Sequence, residues 1–241
     1  MRDYILTQEF WNMVNLYSKG VEFDDFSLIN LCKMAVDNQV QSISVPAENV
    51  DNVWEWLELS DVELCAVINN FSGEHSVEEI FRKIKTVVNK GADVVEVLLP
   101  PETFNVDVEN IPPKLDENLC AITEAKGVKK VKVSMESGFI RNCSVLKGVV
   151  YLLSKYKIDM VKTASGRWME NSTIEQLNTI LEEAKSSRVG VDFMVDMDKG
   201  NKFVMDDACR LANFILGMDD IKHIGFSISV AEQVFSQIAR K

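Results

Sequence analysis

The chain has 241 residues, of which 46% are hydrophobic, and this is enough for one large domain with a sizeable core. No run approaches about 18 uninterrupted apolar residues, so no membrane-spanning segment is predicted and a cytoplasmic location is expected. The net charge is −11 and the basic residues are scattered, which argues against nucleic acid as a partner.

Short apolar runs alternate with longer helical patterns along the whole chain. The predicted strands are Met13–Tyr17, Gln41–Val45, Leu64–Asn69, Asp93–Leu99, Val131–Met135, Asp159–Thr163, Val191–Val195 and His223–Ser227. Between them, Val77–Val88 and Ile174–Leu181 have a helical apolar period, and Ser172 and Thr173 are N-cap candidates for the second helix.

Strand and helix in regular alternation over this length predict an α/β fold, the (β/α)8 or TIM barrel. The prediction is a single domain over residues 1–241 with a short N-terminal helical segment. An open doubly wound sheet is the rival fold, but no G-x-G-x-x-G follows the first strand. The five cysteines contain no C-x-x-C pair, and His75 and His223 lie far apart, so no metal site is predicted.

Lys162 lies near the end of a predicted strand and is followed at once by the small-residue turn Thr163–Gly166. Burying an ammonium group is unfavourable unless it is paired, and a common outcome is a lowered pKa that leaves a neutral amine able to attack a carbonyl. Lys162 is therefore a candidate Schiff-base nucleophile. The alternative is an ordinary lysine at a strand end whose amine reaches solvent.

Other polar side chains are expected inside the same barrel. Alternate residues of each strand point inward, and reactive groups lie at the C-terminal ends of the strands. The inward candidates are Asn15, Ser44, Glu96, Lys132, Ser134, and Asp192 or Asp196. Each alone has a structural explanation, such as an ion pair between Glu96 and Lys132, but their convergence on one face indicates a functional site.

Four segments resemble deoxyribose-phosphate aldolases in order and spacing. They are Ile68–Gly73, Gly91–Val97, Val131–Gly138 and Val161–Gly166, and they carry the patterns G-A-D-x-[VI]-[DE]-V, K-V-x-x-E-[ST]-G and K-T-x-[ST]-G. The resemblance implies a class I aldolase that cleaves 2-deoxyribose 5-phosphate to glyceraldehyde 3-phosphate and acetaldehyde, with no metal and no organic cofactor. It also implies that Lys162 is the Schiff-base lysine. The expected partner is a small-molecule sugar phosphate rather than nucleic acid or a membrane, and a homodimer is left open.

The chain departs from the family pattern at three strand positions. Glu96 stands where the family has a proton-relaying aspartate on strand 4, and Asn15 stands where it has an aspartate on strand 1. The strand-7 lysine of the family has no counterpart: the preferred register places Asp196 there, and the alternative register places Asp192 there. A carboxylate at that position raises the pKa of Lys162. Lys132 is the candidate for the lost cationic neighbour.

The candidate substrate-binding and phosphate-binding residues come from several strand ends. They are Asn15, Ser44, Asn70, Thr163, Ser165, Gly166, Gly200, Gly225 and Ser227. The family's glycine-rich pattern is partly retained in Gly225–Ser229, but after strand 7 Asp198–Lys202 keeps one glycine, with Lys199 and Lys202 as alternative charges. Two functions stay open: an active aldolase with an altered proton relay, and a weak or inactive aldolase-fold protein that binds a sugar phosphate or a protein.

Overall fold

The structure is a computed structural model that describes residues 8–17, 25–69, 76–104, 111–127, 129–166, 172–196 and 224–229. Its strands are β1 (Val14–Tyr17), β2 (Ser42–Pro46), β3 (Glu63–Asn69), β4 (Val94–Leu98), β5 (Lys130–Ser134), β6 (Met160–Lys162), β7 (Gly190–Asp196) and β8 (Ile224–Ser229). Its helices are α1 (Gln8–Trp11), α2 (Asp25–Asp37), α3 (Val50–Leu57), α4 (Val77–Asn89), α5 (Pro113–Lys126), α6 (Cys143–Lys155) and α7 (Ile174–Ser187).

The eight strands form one closed parallel barrel in which each strand pairs with the next along the chain and β8 pairs with β1. The predicted (β/α)8 fold is confirmed. Each predicted strand overlaps an observed one, because a strand buried on both faces is a nearly continuous apolar run. No helix in the described ranges is long and apolar enough to cross a membrane.

The helices pack on the barrel through apolar stripes that recur every three or four residues. In α4 the buried side chains are Ile80, Ile84 and Val87, which lie on one face of the helix. The helix begins with a capping box, in which the side chain of Ser76 accepts a hydrogen bond from the backbone of Glu79 and the side chain of Glu79 accepts one from the backbone of Ser76.

Helix α7 begins in the same way, with Thr173 as the N-cap and Gln176 as the reciprocal partner. This confirms one of the two predicted cap residues. The helix continues to Ser187, beyond the predicted end at Leu181, and Arg188 ends it in a left-handed conformation with φ of 57°. Helix α7 follows β6 in the chain, so its start lies close to the turn after Lys162.

Candidate functional site

Lys162 is the last residue of β6, and its side chain is fully buried inside the barrel. Its Nζ lies 2.9 Å from Oε1 and 3.0 Å from Oε2 of Glu96, so the ammonium can donate to both carboxylate oxygens. Glu96 is fully buried on β4, and its Oε1 also accepts a hydrogen bond of 3.0 Å from the Ser134 hydroxyl. The lysine is therefore inward, as strand parity predicts, and it is paired rather than solvated.

Tyr17 covers the same amine from β1. The Lys162 Nζ lies 4.3 Å from the centroid of the Tyr17 ring, which is within the range of a cation–π interaction. Tyr17 is buried and packs with Val67, Leu98 and Met194 in a small apolar cluster. The amine thus lies between a carboxylate and an aromatic face.

A second buried ion pair joins Lys132 on β5 to Asp192 on β7. Asp192 also accepts a hydrogen bond of 2.8 Å from the Ser227 hydroxyl on β8. Glu96 and Lys132 are register partners on β4 and β5, and the carboxylate of Glu96 acts on the charge of Lys132, but the direct ion pair of Lys132 is with Asp192. In a barrel, side chains at one level come from alternate strands. Both pairs accordingly skip a strand, β4 to β6 and β5 to β7.

The preferred register for strand 7 is corrected by the same geometry. Lys162 pairs in register with Asp192, whereas the backbone of Asp196 pairs with Ser229 at the end of β8. Asp192 is therefore the carboxylate beside the lysine cluster, as the alternative register predicts. The side chain of Asp196 lies outside what the structure describes.

These charges set the protonation of both lysines. Burial by itself lowers the pKa of Lys162, but the carboxylates of Glu96 and Asp192 outweigh burial, and the pKa lies above its ordinary value. Burial also lowers the pKa of Lys132, but the negative charge of Asp192 outweighs burial, so the pKa of Lys132 is raised too. Burial by itself raises the pKa of Asp192, but the positive charges of Lys132 and Lys162 lower it by more, so the net shift is downward. Both lysines are thus held as ammonium ions at neutral pH.

Asn15 on β1 is the centre of a neutral network beside the charged pairs. Its Nδ2 donates to the Ser44 hydroxyl at 2.9 Å and to the Ser227 hydroxyl at 2.8 Å, and its Oδ1 accepts from Ser42 at 2.9 Å. Ser227 lies within β8, where it links Asn15 to Asp192. Asn15 and Ser44 point into the barrel, as strand parity predicts, and Ser227 joins them there, whereas the sequence pattern predicts Ser227 in a phosphate site after strand 8.

The turn after Lys162 is held by the end of β5. The carbonyl of Thr163 accepts hydrogen bonds from the Ser137 backbone at 2.7 Å and the Ser137 hydroxyl at 3.0 Å. Gly166 has φ of 79°, a backbone conformation that favours glycine, and a Cβ there would lie 2.4 Å from Cε at the flexible end of the Met194 side chain. The turn and the apolar cluster around Tyr17 are therefore in direct contact.

Glu136 also binds the turn after Lys162. It was not among the predicted site residues. Its Oε1 accepts the Ser165 backbone N–H at 2.6 Å, and its Oε2 is buried and has no hydrogen-bond partner in the structure described. Its backbone is left-handed, with φ of 48°. Burial raises the pKa of Glu136, with hydrogen bonds from Ser165 offsetting part of the effect. Its position in the K-V-x-x-E-S-G pattern could have identified Glu136 as a candidate. Its left-handed backbone could not be predicted, because glutamate rarely adopts that conformation.

Some predicted residues cannot be placed. Asn70, Gly200, Lys199 and Lys202 lie outside the described residues. Gly225 is buried on β8, where it pairs in register with Asp192. No group of three or more His, Cys, Asp or Glu side chains in the described ranges is arranged to hold a metal ion.

The closed barrel with its buried lysine–carboxylate pairs is a (β/α)8 protein, and comparison with known proteins identifies relatives. No protein-family model matches the chain. It is 26% identical over 212 residues to the deoxyribose-phosphate aldolase of Clostridium perfringens strain SM101, covering 87% of this chain and 88% of that one. It is 25% identical over 177 residues to the deoxyribose-phosphate aldolase of Clostridioides difficile, covering 73% and 76%.

Solved structures of proteins named as deoxyribose-phosphate aldolases have the same fold as this chain. A putative deoxyribose-phosphate aldolase from Toxoplasma gondii superposes with a TM-score of 0.78 at 16% identity, covering 97% of this chain and 94% of that one. Another, from Coccidioides immitis, gives 0.76 at 15% identity, covering 97% and 87%. The resemblance read from the motifs is confirmed: the chain is a divergent relative of the deoxyribose-phosphate aldolases.

Proposed function

We propose that the chain is a class I aldolase that cleaves 2-deoxyribose 5-phosphate, or a close analogue, through an imine on Lys162. The observation that carries the proposal is the fully buried Lys162 with both oxygens of Glu96 at hydrogen-bond distance. A buried ammonium in contact with a carboxylate can pass its proton to that carboxylate and leave a neutral amine. The relatives named as aldolases support the same reaction class.

The chemistry follows from the atoms in contact. The amine attacks the aldehyde carbon, the carbinolamine loses water, and an iminium ion forms. An ammonium has three N–H groups and can bond both Glu96 oxygens, but the iminium has one N–H. Oε1 of Glu96 keeps its bond from Ser134, so Oε2 is the oxygen released to take the proton from the substrate hydroxyl next to the bond that breaks. Carbon–carbon cleavage then leaves an enamine of acetaldehyde on Lys162 and frees glyceraldehyde 3-phosphate.

Lys132 does not act as a free cation in this scheme, because Asp192 neutralises it. Its proposed role is positional: it holds Asp192, which in turn binds Ser227 and lies in register with Lys162. The roles of Asn15, Ser44, Thr163, Ser165, Gly166, Gly225 and Ser227 in substrate binding are part of the same proposal.

A second function is favoured by one observation. The raised pKa of Lys162 keeps the resting amine protonated and therefore not nucleophilic. A protein with that site can bind a sugar phosphate without turning it over. The two functions differ in whether a covalent imine forms.

Borohydride trapping separates them. The protein is incubated with 2-deoxyribose 5-phosphate or acetaldehyde at several pH values, reduced with sodium borohydride, and measured by intact mass and peptide mapping. We expect a single adduct on Lys162, with a rate that increases as pH rises towards the pKa of the amine. Lys162→Met, which keeps side-chain length without the amine, should give no adduct. Ligand binding by wild type with no adduct at any pH would favour the binding function instead.

A further inference from the structure

We infer that Tyr17 is a catalytic residue, whose ring face stabilises positive charge on Lys162 Nζ both in the resting ammonium and in the iminium formed during reaction. The iminium half of this inference rests on the proposed function. The Nζ lies 4.3 Å from the ring centroid, with the lysine fully buried and Tyr17 only 5% exposed. The contact is made to the reacting atom itself.

The ring matters more in the iminium than in the ammonium because of the number of N–H groups. When R–NH3⁺ and a carbonyl compound give an iminium ion and water, two of the three nitrogen protons leave in the water and the positive charge stays. The ammonium contacts two oxygens of Glu96, but an iminium with one N–H keeps only one of those hydrogen bonds. Attraction to the ring face depends on the charge and not on the number of N–H groups, so it is retained.

The surroundings of the ring strengthen this attraction. Tyr17 packs with Val67, Leu98 and Met194, and the Lys162 side chain is fully buried, so water screens the attraction between the ring and the amine only weakly. Such interactions are larger when desolvated than at exposed sites. An exposed pair in the same protein offers a comparison: Lys155 Nζ lies 4.7 Å from the ring centroid of Tyr151 on α6.

The first measurement needs no substrate. The pKa of Lys162 is determined from the pH dependence of the lysine Cε chemical shift in protein labelled with 13C-lysine, with Lys162→Met for assignment. We expect Tyr17→Leu to lower this pKa by about one unit, equivalent to about 1.4 kcal/mol. Tyr17→Phe, which keeps the ring, should shift it by less than about 0.3 units, and Tyr151→Leu should leave it unchanged.

The second measurement follows the iminium. The equilibrium constant for imine formation with acetaldehyde, read from the fraction trapped by borohydride, should fall about tenfold in Tyr17→Leu and stay near the wild-type value in Tyr17→Phe. Phenylalanines with one to five ring fluorines at position 17 weaken the negative charge of the ring face while its shape stays nearly constant. They test the contribution of the ring face even if Tyr17→Leu does not fold. The imine constant should fall stepwise with fluorine number.

Each contrary result has its own meaning. An imine constant independent of fluorination would overturn the iminium role, and an unchanged Lys162 pKa in the same series would overturn the ammonium role. A large effect of Tyr17→Phe would assign the contribution to the hydroxyl and overturn the ring-face inference. If wild type forms no imine but its Lys162 pKa follows fluorination, the proposed aldolase function fails and the iminium role with it, while the ammonium role stands.

Discussion

The two buried ion pairs determine the chemistry available to Lys162 at the level of single residues. Glu96 neutralises Lys162 and Asp192 neutralises Lys132, so these four buried charges sum to zero. Removing one partner of such a pair leaves a buried uncompensated charge and typically destabilises a protein by about 3–5 kcal/mol. The charges are therefore coupled, and they are best tested by exchange rather than deletion.

We predict that reversing the second pair activates Lys162. In the double variant Lys132→Asp/Asp192→Lys, a cation stands in register beside Lys162 in place of a carboxylate. Asp192 raises the pKa of Lys162 more than Lys132 lowers it, and the exchange reverses both contributions. The pKa should therefore fall by about one unit or less, and trapping with acetaldehyde at neutral pH should speed up by at most about tenfold. Trapping rates between pH 6 and 10 test the shift.

The single variants are the controls for folding. Asp192→Lys alone places two unpaired lysines together and should lose about 3–5 kcal/mol of unfolding free energy, much of which the double variant recovers. Equal trapping rates in the folded double variant and wild type would show that the charge at position 192 does not set the reactivity of Lys162.

Strand parity predicts which side chains enter the barrel but not which of them pair. Asp192 and Asp196 differ by four positions and share a parity, so only the observed register between β6 and β7 distinguishes them. Glu96 and Lys132 are neighbours in register, yet Glu96 pairs with Lys162 two strands away, because side chains at one level of the barrel come from alternate strands. Strand parity could also have placed Tyr17 inside the barrel, since Tyr17 lies two positions after Asn15. It was not predicted as a site residue because an aromatic residue at a strand end is more often part of the core.

At the scale of elements, α7 supports the turn after Lys162 as well as the core. The Gln176 Nε2 donates to the carbonyls of Ser137 at 3.0 Å and Ile140 at 2.9 Å, in the segment that follows Glu136. The same side chain completes the capping box with Thr173. The start of α7 is therefore tied to the loop that holds the turn after Lys162, a link that the cap signal in the sequence does not reveal.

Gln176→Ala is expected to affect both stability and trapping. It removes the reciprocal capping bond and the side-chain donor to the Ile140 carbonyl, while the Ser137 carbonyl keeps its bond from the Ile140 backbone. The unfolding free energy should fall by about 2–3 kcal/mol. Because the turn loosens, imine trapping on Lys162 should slow severalfold. Urea denaturation and borohydride trapping measure the two effects.

Glu79→Ala is the matched control, since Glu79 occupies the same capping-box position in a different helix, α4, which follows β3 rather than β6. It should lower stability by about 0.5–1 kcal/mol and leave trapping unchanged. Equal effects of the two variants on trapping would show that α7 contributes only to overall stability.

At the scale of the whole molecule, Glu136 makes stability depend on pH. Its backbone is left-handed, its Oε2 is buried without a partner in the described structure, and burial raises its pKa. A carboxyl group whose pKa is higher in the folded state than in the unfolded state binds its proton more tightly when folded. Its stabilising contribution is therefore complete below the unfolded pKa and is lost as pH rises through the folded pKa.

Glu136→Gln keeps an oxygen to accept the Ser165 N–H and removes the titration. Relative to wild type, the variant should gain stability as pH rises from about 4 through the pKa of folded Glu136, since only the wild type then buries a charged carboxylate. Urea unfolding free energies of both proteins across that range measure the difference, and Glu175→Gln at an exposed position of α7 controls for net charge. A difference that is constant with pH would mean that Glu136 has the same proton affinity in the folded and unfolded chain. Glu136 would then hold the turn only through its hydrogen bond to Ser165, with no contribution from its proton.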